Sequence, residues 1–322
     1  MEDINKKFNM TDAELFTFVD HSNLESEKIT APRYSYWKSV FRVFFRNKVN
    51  IAILSLLVFV IAFAYIYPAV THYDPYANIM DSGSKHLSPT KAMEYFEPSL
   101  KWILGSGASG EPTFEAIWNG SRISISLAFL CAAINMTIGV CVGAVWGFSK
   151  KVDAVMMEVY NVVGNVPLLL VIAVLAMLLS PTFWTMVFSL TVIGWIGIAY
   201  FIRTQVVIIR DREYNLASRC LGTSTVKIAM KNILPFMTSV IVTLLATELP
   251  SYISYEVFLS YIGLGMSDMS LGRLIYNAEG AMVTPGWEIE FWAPVVISSI
   301  ITVVLYMVGQ NLGDASDPRT HM

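Results

Sequence analysis

The sequence predicts an all-α membrane protein with six transmembrane helices. Three observations predict it. Only 15% of the 322 residues are charged while 55% are hydrophobic, and soluble domains average about 25% charged residues. Apolar runs close to the roughly 20 residues that cross a hydrocarbon core recur along the chain. The polar segments between those runs carry Lys and Arg unevenly, as membrane proteins with a fixed orientation do.

Residues 1–35 are mixed polar sequence and read as a soluble tail; no short apolar core precedes a small-residue cleavage site there. From Tyr36 the pattern changes. Trp37, Phe41, Phe44 and Phe45 fall at helical spacing, with Lys38, Arg42 and Arg46 in the adjacent i, i+4 row. This predicts an amphipathic helix in the headgroup region, its basic side toward anionic lipid. A basic juxtamembrane stretch of no fixed orientation is the plainer reading of the same residues.

The first span is expected over 49–67, stopped by Pro68, whose ring cannot continue the hydrogen-bond ladder. Residues 69–117 carry Pro75, Pro89, Pro98 and Pro112 and read as a loop or small cap outside the membrane. Gly105, Gly107 and Gly110 formally match G-x-G-x-x-G, but no strand precedes them, so a turn is expected rather than a dinucleotide site. The second span is expected over 121–148, longer than a bilayer needs. A short polar connection with Lys150, Lys151 and Asp153 follows. The third span is expected over 160–179, with Pro167 near its start, and Ser180-Pro181 turns into a fourth over 182–202. The fifth runs over 235–262 and contains Glu248, Pro250 and Glu256; Gly263 and Gly265 break it. The sixth is expected over 291–312, leaving 313–322 as a tail.

Charge orients this bundle. The side holding both termini, 149–159 and 203–234 carries seventeen Lys and Arg, and the other side carries five. The positive-inside bias therefore puts both termini and the 203–234 loop in the cytoplasm, and 69–117 outside. The domain reading is a tail at 1–35, an entry region at 36–118, a five-span unit at 119–312 and a tail at 313–322. The three cysteines, Cys131, Cys141 and Cys220, show no metal or disulfide spacing. Walker A is absent, so no ATP site of the P-loop kind is expected in this chain.

The 203–234 loop is the candidate functional element. Glu213 to Gly222 reads as a helix stopped by a residue able to take positive φ. Ala217 and Ser218 are small, which lets another surface approach the backbone. Thr223, Ser224 or Thr225 can cap a second helix over 226–234, before Pro235 opens the fifth span. Such a protrusion transmits a push only if it is stiff. An ordinary basic loop that merely anchors orientation is the bland alternative.

The residues EYNLASRCLG…KNILP resemble the loop of ABC importer permeases with the pattern EAA-x3-G-x9-I-x-LP. Ala217, Gly222, Leu234 and Pro235 match; Leu216, Ser218 and Asn232 stand where Glu, Ala and Ile are usual. Glu213 stands where peptide-permease members often carry an additional Glu. LSYIGLG at 259–265, Leu271-Gly272-Arg273 and the ending LGDASDPR at 312–319 resemble the C-type permease subunit of oligopeptide and dipeptide importers. The tail, with Ala31-Pro32 and Tyr34-Ser35-Tyr36-Trp37, resembles Gram-positive oligopeptide permeases. The GTDxxGRD segment usual before the second span is here GSGASGEP.

That resemblance implies the type I ABC importer permease fold and a non-catalytic subunit. It implies a homologous B-type permease subunit, two ABC ATPase subunits, an extracellular peptide-binding lipoprotein, a peptide substrate and surrounding lipid as partners, and no nucleic acid. ATP and Mg would be bound by the ATPases, with no cofactor in this chain. Glu213, Ala217, Ser218, Gly222, Leu234 and Pro235 would form the ATPase-coupling element. Dipeptide and nickel permeases share the family. However, His21, His72, His86 and His321 all lie outside the expected spans, which argues against a histidine-lined nickel path.

Carboxylates inside a span are functional candidates, because burial there costs about 2.5–3.5 kcal/mol. Glu248, Pro250 and Glu256 are thus candidates for the translocation path or a subunit interface, with a structural hydrogen-bonding role beside a Pro250 kink as the alternative. A proton-coupled carrier using both glutamates is a rival function, but no repeated halves are visible. An intramembrane enzyme lacks a histidine or nucleophile constellation in the spans. The sequons at Asn119 and Asn135 are expected to be coincidental.

Overall fold

The computed structural model describes residues 36–75 and 82–317, so readings on 1–35 and on Pro318 and Arg319 lie outside the described residues. The chain divides into two units, 1–39 and 40–322. Five helices of the described part are long and apolar enough to cross a membrane, or six if one sharply bent pair counts as a span.

Helix α1, Tyr36–Arg46, carries Lys38, Arg42 and Arg46, buries Val40 and Phe44, and leaves Phe41 and Phe45 exposed and stacked 6.3 Å apart. Asn47 makes the elbow to α2, Lys48–Thr71, and accepts from the Val49 amide at 3.0 Å. Asn50 donates back to the Phe44 carbonyl at 3.2 Å, so both sides of the elbow are satisfied. Pro68 does not stop α2, contrary to the sequence expectation. It sits in the final turn, where the helix loses only the bond to Ala64, and the helix ends when His72 turns left-handed at φ 52°.

The cap that follows holds α3, Pro89–Tyr95, and two single 3-10 turns, Ser82–Ser84 and Leu100–Trp102. The glycine segment is a turn, as expected: Gly105 and Gly110 take positive φ and an antiparallel bridge joins Ser106 to Pro112. His86 pairs with Glu290 at 2.7 Å and stacks on Trp287 at 4.0 Å, which fastens the cap to the last helix.

Helix α4, Thr113–Phe148, is 36 residues long, about 54 Å. It starts eight residues before the expected span because Phe114 and Trp118 pack on Phe63 and Tyr67 of α2. The expected third span is broken. Helix α5, Lys150–Val163, and α6, Leu168–Leu178, meet at 71°. Gly164 to Pro167 interrupts the ladder, and the 11 residues of α6 reach about 16 Å, half a hydrocarbon core. Helices α7, Phe183–Thr191, and α8, Trp195–Arg210, form one nearly continuous run. After the loop come α9, Glu213–Cys220, and α10, Thr225–Ile228. Then follow α11, Thr238–Tyr261; α12, Leu271–Asn277; and α13, Glu288–Ser316, which runs past the expected end at 312.

Glycines let the long helices touch. Gly139, Gly143 and Gly147 recur every four residues along α4 and face α8; a Cβ on Gly143 would stand 2.5 Å from the Ala199 carbonyl. Gly309 and Gly313 of α13 meet Ala246 and Thr243 of α11 in the same way. Small residues at helix crossings are the usual means of close approach in lipid, where water supplies no driving force. Gly143→Ala is expected to cost about 1–3 kcal/mol through overpacking, read as a lower melting temperature of the purified protein in detergent. An unchanged melting point would show that α4 and α8 separate freely.

Candidate functional site

The loop after α8 is a small folded unit. Asn215, on the inner face of α9, is fully buried and donates to the Ile209 carbonyl at 3.0 Å, which turns the chain sharply at the end of α8. At its far end, Gly222 takes φ +76°, its amide bonds the Arg219 carbonyl at 2.9 Å, and the Thr223 amide bonds the Ser218 carbonyl at 3.1 Å. The last is the 6→1 bond of a left-handed helix stop.

The second expected helix is only partly α-helical. α10 gives way to a π turn, Ala229–Ile233, closed by the Leu234 amide on the Ala229 carbonyl at 2.9 Å. Pro235 offers no amide to continue the narrower ladder, and a 3-10 turn, Pro235–Met237, leads into α11. Asn232, on the π turn, donates to Asn215 at 3.2 Å and to Ser218 at 3.4 Å. Two positions at which the sequence departs from the family pattern, Ser218 and Asn232, thus face each other and bond. Sequence reading missed Asn215; the signal was an Asn repeated at both ends of the loop.

The base is tied down as well. Arg210 donates to the Gly147 carbonyl at 2.7 Å, and the Arg219 guanidinium lies 4.8 Å over the Phe148 ring. Ile228, Ile233 and Met237 are buried with Ile202, Val206 and Ile209 of α8. Outward, α9 and its flanks present Glu213, Tyr214, Leu216, Ala217, Cys220 and Leu221, the last 85% exposed. Among the predicted coupling residues, Glu213 and Ala217 lie on this outer face, Gly222 at its edge and Ser218 at its inner seam. Leu234 and Pro235 lie across the seam, at the foot of α11.

The three intramembrane candidates separate. Glu248 is partly exposed on α11, one turn before Tyr252, whose hydroxyl points into the bundle. That hydroxyl accepts from Asn135 of α4 at 2.7 Å, and Asn135 also donates to the Leu190 carbonyl of α7 at 3.1 Å. Pro250 is buried inside α11, where its missing amide frees the Ala246 carbonyl. Glu256 lies inside the bundle of this chain. It is fully buried and accepts from the Ser124 hydroxyl at 2.8 Å, Ser260 at 3.0 Å and Ser270 at 2.5 Å. Three hydroxyl donors make a carboxylate tolerable in the interior, and here they join α4, α11 and the start of α12. Asn119 and Asn135, the sequon asparagines, are both buried in α4.

Comparison with known families decides the class. The model of the binding-protein-dependent transport system inner membrane component matches residues 136–322. This chain belongs to that permease family. A second model, the N-terminal transmembrane domain of oligopeptide transport permease C, matches residues 35–89 of the permease. The oligopeptide transport system permease protein AmiD of Streptococcus pneumoniae is 44% identical over 96% of this permease and 98% of its own length. The dipeptide transport system permease protein DppC of Bacillus subtilis is 30% identical over 98% and 95%. The oligopeptide transport system permease protein OppC of the same organism is 32% identical over 92% and 93%. The permease is thus a multi-pass membrane component of the oligopeptide and dipeptide ABC transport class, as its resemblance implied.

Proposed function

We propose that this permease forms half of a translocation path for oligopeptides and is driven by ATP hydrolysis on other subunits. The observation that carries the reading is α9. It offers exposed Tyr214, Leu216 and Leu221 to a partner, on a base locked by the Asn215–Asn232–Ser218 bonds and by Arg210 on Gly147. Stiffness below and apolar exposure above suit a part that is pushed.

In this reading Glu213, Ala217, Ser218, Gly222, Leu234 and Pro235 shape the element that seats on an ATPase. Two ATPase subunits bind ATP and Mg, a homologous B-type permease completes the path, and an extracellular lipoprotein delivers peptide. Closing of the ATPases draws the two permease loops together and turns the bundle as rigid bodies. The loop and both termini face the cytoplasm and the cap faces outward. Relatives in Streptococcus and Bacillus, at 44% and 32% identity, support a Gram-positive source and an oligopeptide cargo.

Cys220 provides the test, since its thiol is exposed on α9. In a Cys141→Ser background, a short thiol cross-linker is expected to join Cys220 to an ATPase subunit of the assembled complex. Labelling of Cys220 by an impermeant reagent added outside intact cells would overturn the orientation, and with it the docking role.

Glu248, the partly exposed carboxylate of α11, is the path candidate most open to test. Its carboxylate would attract a peptide ammonium or pair with a cation of the B-type subunit. A hydrogen bond to a charged group contributes about 1.5–3 kcal/mol, so Glu248→Gln is expected to lower uptake roughly tenfold or more. Unchanged uptake and unchanged complex yield would exclude both roles.

A further inference from the structure

Helix α5 is attached to the bundle in an unusual way. None of its 14 residues is fully buried, and Val152, Asp153, Met156, Met157, Tyr160 and Val163 are half-buried along one face. Two directional contacts on that face fix its position against α8. Asp153 takes two bonds from Arg203 of α8, Nε and Nη2 each at 2.8 Å, and a third from the Trp146 indole of α4 at 2.8 Å. Two helical turns further along, Tyr160 stacks on Tyr200 of α8 at 4.1 Å with the rings 7° from parallel. Trp146 closes the group at about 6 Å from both rings.

This attachment lies next to the coupling loop. Arg203 and Arg210 are on the same unbroken helix, two turns and about 10 Å apart. Arg210 grips Gly147, next to Trp146, and α9 begins three residues later. At its other end α5 meets the Gly164–Pro167 break and the 71° elbow to α6. A bidentate carboxylate–guanidinium pair fixes direction as well as distance. A helix that is only half-buried on one face can swing where its ladder is interrupted.

We infer that Asp153 and Arg203 form the pin through which a displacement of the α9 loop reaches α5 and the elbow into α6, so that α5 moves as one body with α8. Asp153 and Arg203 are positioning residues, and neither touches cargo or nucleotide in this scheme. The inference rests on the proposed coupling role of α9.

The test uses the complete transporter in proteoliposomes and reads peptide taken up per ATP hydrolysed. Asp153→Asn removes the charge yet keeps an acceptor for Trp146, so the fold is preserved. It is expected to lower that ratio about tenfold while ATP hydrolysis continues. In a C141S/C220S background, the double variant D153C/R203C is expected to show the same loss. A short bifunctional thiol linker, tying α5 to α8 again, is expected to restore the ratio. An unchanged ratio in Asp153→Asn, a parallel fall in uptake and hydrolysis, or no recovery with the linker would each overturn the pin. Ala217→Trp, run alongside, separates the two levels. If it lowers the ratio and Asp153→Asn does not, only the pin fails; if neither does, the coupling role of α9 fails first.

Discussion

Gly222→Pro is expected to abolish peptide uptake by the assembled transporter, roughly a hundredfold or more, while its ATPases continue to hydrolyse ATP. Gly222 stands at φ +76° and its amide bonds the Arg219 carbonyl. Proline is locked near φ −65° and has no amide, a conflict worth about 3 kcal/mol or more. The end of α9 must then unwind, and Leu221 and Cys220 leave their positions. The spans are untouched, so the protein still inserts. Alanine gives the graded control. A Cβ at 222 meets nothing within 4 Å, so Gly222→Ala carries only the left-handed strain of about 1–2 kcal/mol and is expected to transport at an intermediate rate. Normal ATP-driven uptake by Gly222→Pro would remove the coupling role of this loop.

Loss of the Glu256 carboxylate strikes stability instead. Glu256→Leu leaves the Ser124, Ser260 and Ser270 hydroxyls without their acceptor at the joint of α4, α11 and α12. Ser124 and Ser270 also accept backbone amides, from Leu271 and Arg273 at 3.2 Å, so their positions are disturbed in turn. A buried donor stripped of its partner costs about 1–3 kcal/mol. Since some hydroxyls can rotate to helix carbonyls, the sum is about 3 kcal/mol. That corresponds to a melting temperature lower by about 10 °C, measured on the purified protein in detergent. Glu256→Gln retains one acceptor oxygen and is expected to lose about half as much. If Glu256→Leu melts with the parent and only uptake changes, the carboxylate belongs to the path after all.

Much of the fold was legible along the chain. Apolar runs marked most of the spans, with ends wrong by up to eight residues where aromatic packing or a final helical turn extended them, as at Phe114 and Pro68; the third was missed as a bent pair, because the break at Gly164 to Pro167 depends on where the two helices pack. Gly222 was readable because a helix stop needs positive φ and glycine takes it without penalty. The glycine steps on α4 and α13 were present in the sequence too, but their meaning needs a facing helix.

What the sequence by itself determined were properties carried by neighbours in the chain: apolar runs, caps, breaks and the family pattern. Only the tertiary structure decided that Glu256 is enclosed by hydroxyls from three helices, 132 residues away at the farthest. It also decided that Asn232 clasps α9 and that Asp153 meets Arg203 across 50 residues. The reason is physical. Helical periodicity and dihedral preference act over a few residues, whereas burial and partnership of a polar group depend on which distant surface packs against it.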